Sequence, residues 1–209
     1  METNMHNEAL FIPILVGTTR SERQTIHVAR VVEEVGREIP EIEVELVDPI
    51  NYIFPEDGND PSGKDPRYSA LSARADGFMI VTPEYNHSFP GSLKRMLDSE
   101  LENYIHKPAG FISLSSGQWG GVRAIEALVP SVREMGMVTS FSDVNFPKVA
   151  SLFDANARLT NDHYRDYVRG AFTELIWLAS VMKWGRDHIS SKYHTTHRAS
   201  EGCWGKTGA

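Results

Sequence analysis

Short apolar runs alternate along this chain with segments whose apolar positions recur every three to four residues. Leu10-Phe11-Ile12-Pro13-Ile14-Leu15-Val16 is apolar throughout and stops at Gly17, the pattern of a parallel strand buried on both faces. Pro13 has no N–H for a ladder, so the first residues are that strand's weak part. Ile26, Ala29, Val32, Val35 and Ile39 mark one face of a helix expected over 25–39. Residues 42–47 alternate, which predicts a strand with one wetter face near a sheet edge. Residues 51–66 are dense in Pro, Gly, Asp and Asn and read as a loop, of a length that is often functional or mobile. The later pattern predicts a short helix around 68–75, a buried strand over 77–81 cut at Thr82-Pro83, and a helix over 91–102. A strand over 109–114, a helix over 121–136, a fifth strand from 137–141 or 144–149, and a long helix over 161–184 complete it.

Strands separated by helices imply right-handed crossovers and a mostly parallel sheet with helices on both faces. Five such strands fit an α/β, doubly wound sheet of order 2-1-3-4-5. Its ligand site lies beyond the carboxyl ends of the strands, at the switch point. That directs attention to the loops after strands one, three and four: residues 17–24, 82–90 and 115–121.

The 209 residues suit one domain at about 150 residues per domain. We expect a polar N-terminal tail over 1–9, a domain over 10–184, and a C-terminal tail over 185–209 that is flexible or touches another subunit. Hydrophobic and charged fractions of 41% and 23% are those of a soluble globular protein. With 21 basic and 28 acidic residues the net charge is -7, which argues against a nucleic-acid partner. The apolar runs are too short to cross a bilayer, and the N-terminus, with Glu2 and Glu8, lacks the order of a signal peptide. A single cysteine, Cys203, fits a reducing cytoplasm. His194, His197 and Cys203 in the tail fall short of a closed zinc set, so no metal is expected. Tyr193 and Trp204 could instead anchor an arm on a partner subunit.

The first loop, Gly17-Thr18-Thr19-Arg20-Ser21-Glu22-Arg23-Gln24-Thr25, joins a buried strand to a helix start. Free N–H groups and a positive helix end suit phosphate there, and Arg20 and Arg23 could add charge-assisted bonds. It is neither a P-loop nor a dinucleotide fingerprint, and a plain solvated turn is an equal alternative. The second loop packs Tyr85, Asn86 and His87 between Pro83 and Pro90. Such a turn can floor a flat heteroaromatic ligand, although Tyr85 could equally pack at a strand end and His87 hold the turn. In the third, Ser115-Ser116-Gly117-Gln118-Trp119-Gly120-Gly121, glycines permit close backbone approach. Arg123 beyond it could meet an anion or form an internal salt bridge.

Pro83-Glu84-Tyr85-Asn86-His87-Ser88-Phe89-Pro90-Gly91-Ser92-Leu93-Lys94 resembles the signature of the NAD(P)H-dependent FMN reductase family, a flavodoxin-like group that includes quinone and azo reductases. Gly17-Thr18-Thr19-Arg20 is similar to its phosphate loop, and Ser116-Gly117-Gln118-Trp119-Gly120-Gly121-Val122-Arg123 to its third flavin-side loop. The resemblance implies that Thr18, Arg20, Arg23, Gln24 and Thr25 hold an FMN phosphate. It also implies that Pro83, Glu84, Tyr85, Asn86 and His87 line the isoalloxazine ring, and that Ser116, Gly117 and Gly120 close its far side. Family members often carry Gly-Ser and then Asn late in the first loop, where this chain has Glu22 to Thr25; the Glu22 carboxylate must point away from a phosphate. The implied activity moves hydride from NADPH or NADH to FMN N5 and on to a small acceptor such as a quinone, an azo compound or free flavin. The cofactor carries that chemistry, so no catalytic side chain is expected. A homodimer or homotetramer is implied as well. A flavodoxin-type electron carrier and a flavin-free nucleotide-binding module remain the alternatives on this scaffold.

Overall fold

The computed structural model describes residues 8–58 and 60–193. Most of the N-terminal tail (1–7) and the candidate tail residues His194, His197, Cys203 and Trp204 lie outside the described residues.

Leu10–Phe11 (β1) and Ile14–Val16 (β2) are two pieces of one extended run. Ile42–Glu43 (β3) and Leu46–Val47 (β4) lie parallel beside them, with Leu10 level with Ile42 and Ile14 level with Leu46. Pro13 sits at the break, as its missing donor predicts, yet the pairing continues across it. The N–H groups of Ile12 and Ile14 donate to Glu43 and Glu45 at 2.9 and 2.8 Å, and the Pro13 carbonyl accepts from Met79 at 3.0 Å. Phe78–Pro83 (β5) and Pro108–Leu114 (β6) form the centre. Val138–Thr139 (β7) pairs with the start of β6 and Val144–Phe146 (β8) with its end. Both candidate fifth strands are therefore used, as successive parts of one lane. Counted by lanes the order is 2-1-3-4-5, with every pairing parallel.

The helices are Thr25–Arg37 (α1), Pro66–Arg74 (α2), Gly91–Asp98 (α3), Val122–Glu134 (α4) and His163–His188 (α5). Strand side chains alternate between two cores. Ile14, Val16, Met79, Val81, Ile112 and Leu114 pack under α1 and α5, which contribute Val28, Val32, Phe172 and Leu175. Leu15, Phe78, Ile80 and Phe111 pack on the other face under α2, α3 and α4. Burial of each such side chain is worth about 1.5–3 kcal/mol, so the doubly covered sheet holds the loop edge in place.

α1 and α4 end two residues short of the expected 39 and 136, and three further elements end elsewhere for identifiable reasons. β5 runs through Thr82-Pro83, because a proline at a strand's last position withholds only a terminal donor. α3 stops at Asp98, not 102; the Ser99 hydroxyl donates to the Met96 carbonyl at 2.7 Å and competes with the helix. α5 continues to His188, whose ring stacks on Trp184 with centroids 4.8 Å apart.

The 51–66 connection is a loop, but a fastened one. Asp48, Asp60 and Asp65 each precede a proline and cap a short helical segment, accepting from Ile50, Ser62 and Arg67 at 3.3, 2.9 and 3.0 Å. Arg95 donates to the carbonyls of Phe54 and Pro55 at 3.0 Å, and Arg67 to that of Asn51 at 2.7 Å. The rings of Tyr52 and Phe54 meet Tyr68 edge-on. Among the described residues, no helix is long and apolar enough to cross a membrane.

At the opposite end of the sheet, buried Lys107 donates to the Ser72 and Ala73 carbonyls at 2.8 and 2.9 Å. Asp76 nearby accepts from Lys183 and Arg186 at 2.9 and 3.0 Å. Burial, aided by the like charge of Arg186, pushes the Lys107 ammonium down to about 7, with Asp76 opposing. Above that pH the unfolded chain still holds a proton that the folded chain has lost, so this group makes stability rise with pH until the unfolded lysine titrates. Urea unfolding of wild type and Lys107→Met at pH 7 and pH 9 should show the wild type gaining relative to the variant at pH 9. A difference independent of pH would contradict the assignment.

Candidate active site

The loops after β2, β5 and β6 gather at the carboxyl edge of the sheet. In the first, Thr18 is buried, and its Oγ1 accepts from the Arg20 N–H at 3.2 Å and lies 3.1 Å from the Tyr85 hydroxyl. Gly17 passes so close to Thr82 that an added Cβ would sit 3.0 Å from that residue. The Ser92 hydroxyl at the start of α3 donates to the Gly17 carbonyl at 3.4 Å. Glu22 adopts a positive φ of 52° and is exposed. Gln24 and Thr25 begin α1, where no side chain caps the helix. Arg20 is exposed, and its guanidinium has no partner among the described residues.

Arg23 is placed differently from the expectation of a phosphate ligand. Its guanidinium donates to Asp48 and, at 3.4 Å, to the Arg20 carbonyl, and its side chain is only 11% exposed. A carboxylate within reach takes the charge that the resemblance assigned to a phosphate. Arg23 thereby fixes the first loop against the turn after β4.

The second loop extends the sheet by one bond before it turns: the Glu84 N–H donates to the Leu114 carbonyl at 3.0 Å. Tyr85 and Ser88 then exchange backbone bonds of 2.8 and 3.0 Å around Asn86 and His87. Both central residues have positive φ, 50° and 64°, which makes this a type I′ turn. Asn tolerates that backbone readily, His less so. The turn throws both side chains outward, where they are exposed. Pro83 is buried at the end of β5.

Gly120 and Gly121 shape the third loop, with φ of 62° and 94°. A Cβ on Gly120 would lie 2.9 Å from the Asn145 Cβ, and one on Gly121 would lie 2.8 Å from the Leu114 nitrogen. The Ser113 hydroxyl holds the Gly120 carbonyl at 2.8 Å, and the Lys148 N–H holds that of Gly117 at 2.9 Å. Ser116, Gly117, Gln118 and Trp119 are left facing outward. Arg123 resolves to the internal salt bridge: its Nε donates to Glu84 Oε1 at 2.8 Å and ties the third loop's helix to the second loop. Glu84 Oε2 is buried with no partner.

Thr18 with Tyr85 thus joins the first and second loops, and Glu84 with Arg123 joins the second and third. Sequence reasoning did not find Asp48, Ser92 or the aromatic pair Tyr52 and Phe54. Ser92, Tyr52 and Phe54, with Thr19, Pro49, Ile50 and Arg95, border a hollow of about 340 Å³ beside the first loop, and Asp48 precedes Pro49 on its wall. The available signal was the Asp48-Pro49 step, which marks a capped turn directly after a strand.

Residues 12–151 match the model of the family described as NADPH-dependent FMN reductase. The chain belongs to this family. It is accordingly an NAD(P)H-dependent oxidoreductase with FMN as cofactor, as the three loops implied. A quinone reductase of Pseudomonas putida is 29% identical over 165 residues, covering 76% of this chain and 88% of that one. A probable NADPH:quinone oxidoreductase 2 of Oryza sativa subsp. japonica is 26% identical, covering 84% and 91%. The flavoenzyme NAD(P)H:(acceptor) oxidoreductase FerB of Paracoccus denitrificans superposes with a TM-score of 0.68 at 19% identity, over 83% of this chain and 99% of that chain, and supports the fold. The edge itself fits the cofactor: α1 begins uncapped beside a buried hydroxyl and an arginine with no partner among the described residues, while Gly17, Gly120 and Gly121 let the two flanking loops lie directly on the strand ends.

The Glu84–Arg123 pair yields a test. Glu84→Ala should weaken FMN binding by about tenfold, ~1.4 kcal/mol, because it unfastens the second loop from the third. Glu84→Gln should keep most of the affinity, since its amide oxygen can still accept from Arg123. Fluorescence titration with FMN measures both, and an unchanged dissociation constant in the alanine variant would show that the loops are held by other contacts.

Proposed function

We propose that this FMN-dependent reductase delivers electrons from NAD(P)H to small planar acceptors, quinones foremost, with azo compounds and free flavin in the same class. The joined rim carries the reading. One hydrogen bond, Thr18 to Tyr85, couples an uncapped helix start to an outward-facing aromatic turn. We assign the FMN phosphate to Thr18, Arg20 and the first N–H groups of α1 at Gln24 and Thr25, with Arg23 positioning the loop through Asp48. The ring belongs to Pro83, Glu84, Tyr85, Asn86 and His87, with Ser116, Gly117 and Gly120 across from them.

Bound FMN supplies the hydride chemistry between nicotinamide and acceptor. This chain's residues bind and orient. Tyr85 presents its ring where the Thr18 hydroxyl fixes it, and the type I′ turn fixes where Asn86 and His87 stand. Glu84 keeps the ring loop at a set distance from α4. The acidic net charge of -7 concerns the whole surface, whereas Arg20 places local positive charge at the anion end of the site. We also infer a cytoplasmic homodimer or homotetramer. The single cysteine supports the compartment, and Trp177, Val181 and Trp184, each about half exposed or more along α5, support self-association.

Two measurements test this reading. FMN-loaded protein, desalted and mixed anaerobically with NADPH or NADH, should bleach rapidly, the faster donor being the preferred one. Retained colour that neither donor bleaches would instead indicate an electron carrier. Arg20→Ala should weaken FMN retention by about tenfold while leaving the bleaching rate of FMN-saturated protein nearly unchanged. Normal retention would remove Arg20 from the phosphate site.

A further inference from the structure

A second hollow, about 530 Å³, opens on the far flank of the third loop, between that loop, the segment around β8 and the first two turns of α5. Its volume falls in the range of small-molecule sites, about 300–1,000 Å³. Two large aromatic side chains on its lining stand in solvent: Trp119 and Tyr167 are each 60% exposed. A third, Tyr164, is held in place, stacked on Phe146 at 4.5 Å and meeting Tyr167 edge-on at 5.9 Å. The charge on the lining has one sign. Asp143 and Asp166 line the hollow, and no lysine, arginine or histidine does. Neither carboxylate has a hydrogen-bond or ion-pair partner among the described residues. Two arginines of the same helix turns are already engaged: Arg165 reaches Glu34 and Glu38 at 2.9 and 2.7 Å, and Arg169 reaches Glu38 at 2.6 Å.

We propose that this hollow is a second binding site, for a planar aromatic cation of two or three rings. Aromatic faces attract a cation through their quadrupoles, and unpaired carboxylates beside them add charge attraction. An anionic ring system would meet two like charges in the same place. Asp166 alone has a simpler role, as an acid in the first turn of α5 that complements the helix dipole. That role does not account for Asp143 on a different element, nor for two indole- and phenol-sized rings left in water. The proposal does not rest on the flavin assignment: Trp119 lies on the third loop, but Asp143, Asp166, Tyr164 and Tyr167, which supply the charge and two of the three rings, belong to none of the loops assigned to FMN.

The test is calorimetric titration of FMN-saturated protein with N-methylquinolinium and, in parallel, with naphthalene-2-sulfonate, an anion of similar shape. The cation should bind saturably at one site per chain, and the anion at least about tenfold more weakly. The double variant Asp143→Asn, Asp166→Asn should lose about tenfold in affinity for the cation while keeping wild-type melting temperature and FMN content. Tyr167→Ala, which removes a wall without touching charge, should weaken the cation as well. Absence of saturable binding, equal binding of the anion, or unchanged affinity in both variants would overturn the proposal. Competition between the cation and FMN would overturn it too, by placing the cation in the flavin cleft.

Discussion

All six positions of β5 are buried, and each pairs on at least one side with a neighbouring strand. A strand enclosed by both cores cannot slide by one residue without exchanging Met79 and Val81 for Phe78 and Ile80, so its register is fixed. That fixed rail aims the turn at its end. The Glu84 N–H continues the ladder for one further bond, and the chain then reverses within four residues. Displacement of β5 would move Tyr85 away from Thr18 and Glu84 away from Arg123 together, so the rim of the site inherits its geometry from the centre of the sheet.

Charge at this rim is used for fastening before it is offered to a ligand. Arg23 is consumed by Asp48 and Arg123 by Glu84, both in places where little water reaches the carboxylate. Ion pairs of this kind contribute little net stability, because desolvation offsets much of the attraction. Their geometric effect is larger: each pair connects segments that, among the described residues, no backbone hydrogen bond joins directly. What remains for an anion is Arg20, the Thr18 hydroxyl and the uncapped start of α1. Asp48, Asp60 and Asp65 cap two short turns and α2, whereas α1, α3, α4 and α5 all begin without a side-chain cap, so it is the buried Thr18 hydroxyl and Arg20 beside it that set the start of α1 apart.

The sheet was legible because uninterrupted apolar runs such as 77–81 and 109–114 have few ways to be buried other than as central parallel strands. The motif at 83–94 carried the family. Other features were not legible for physical reasons. Pro13 predicts a break but cannot show that bonds on either side bridge it. The two candidates for the last strand looked exclusive, since a pattern along the chain does not reveal that one long neighbour, β6, can pair with two short pieces. The partner of Arg23 lies on another element, and periodicity carries no information about which carboxylate a turn delivers. Asp48-Pro49, Asp60-Pro61 and Asp65-Pro66 were visible as a turn-rich loop, although each pair in fact encodes a capped helical start.

The third loop shows how one short segment can face two ways. Its two left-handed glycines and the Ser113 hydroxyl press the end of its backbone onto β6 and the Asn145 side of the last strand. Ser116 and Gly117 are exposed, with the Gly117 carbonyl held by the Lys148 N–H at 2.9 Å, while Gln118 and Trp119 border the hollow over α5. A Cβ at either glycine would collide with backbone on β6 or beside Pro147, so the loop could not relax toward one side without moving the sheet beneath it. The same contacts at Gly120 and Gly121 thereby set the end of the loop for both of its flanks, because each glycine rests on the sheet rather than on the loop itself.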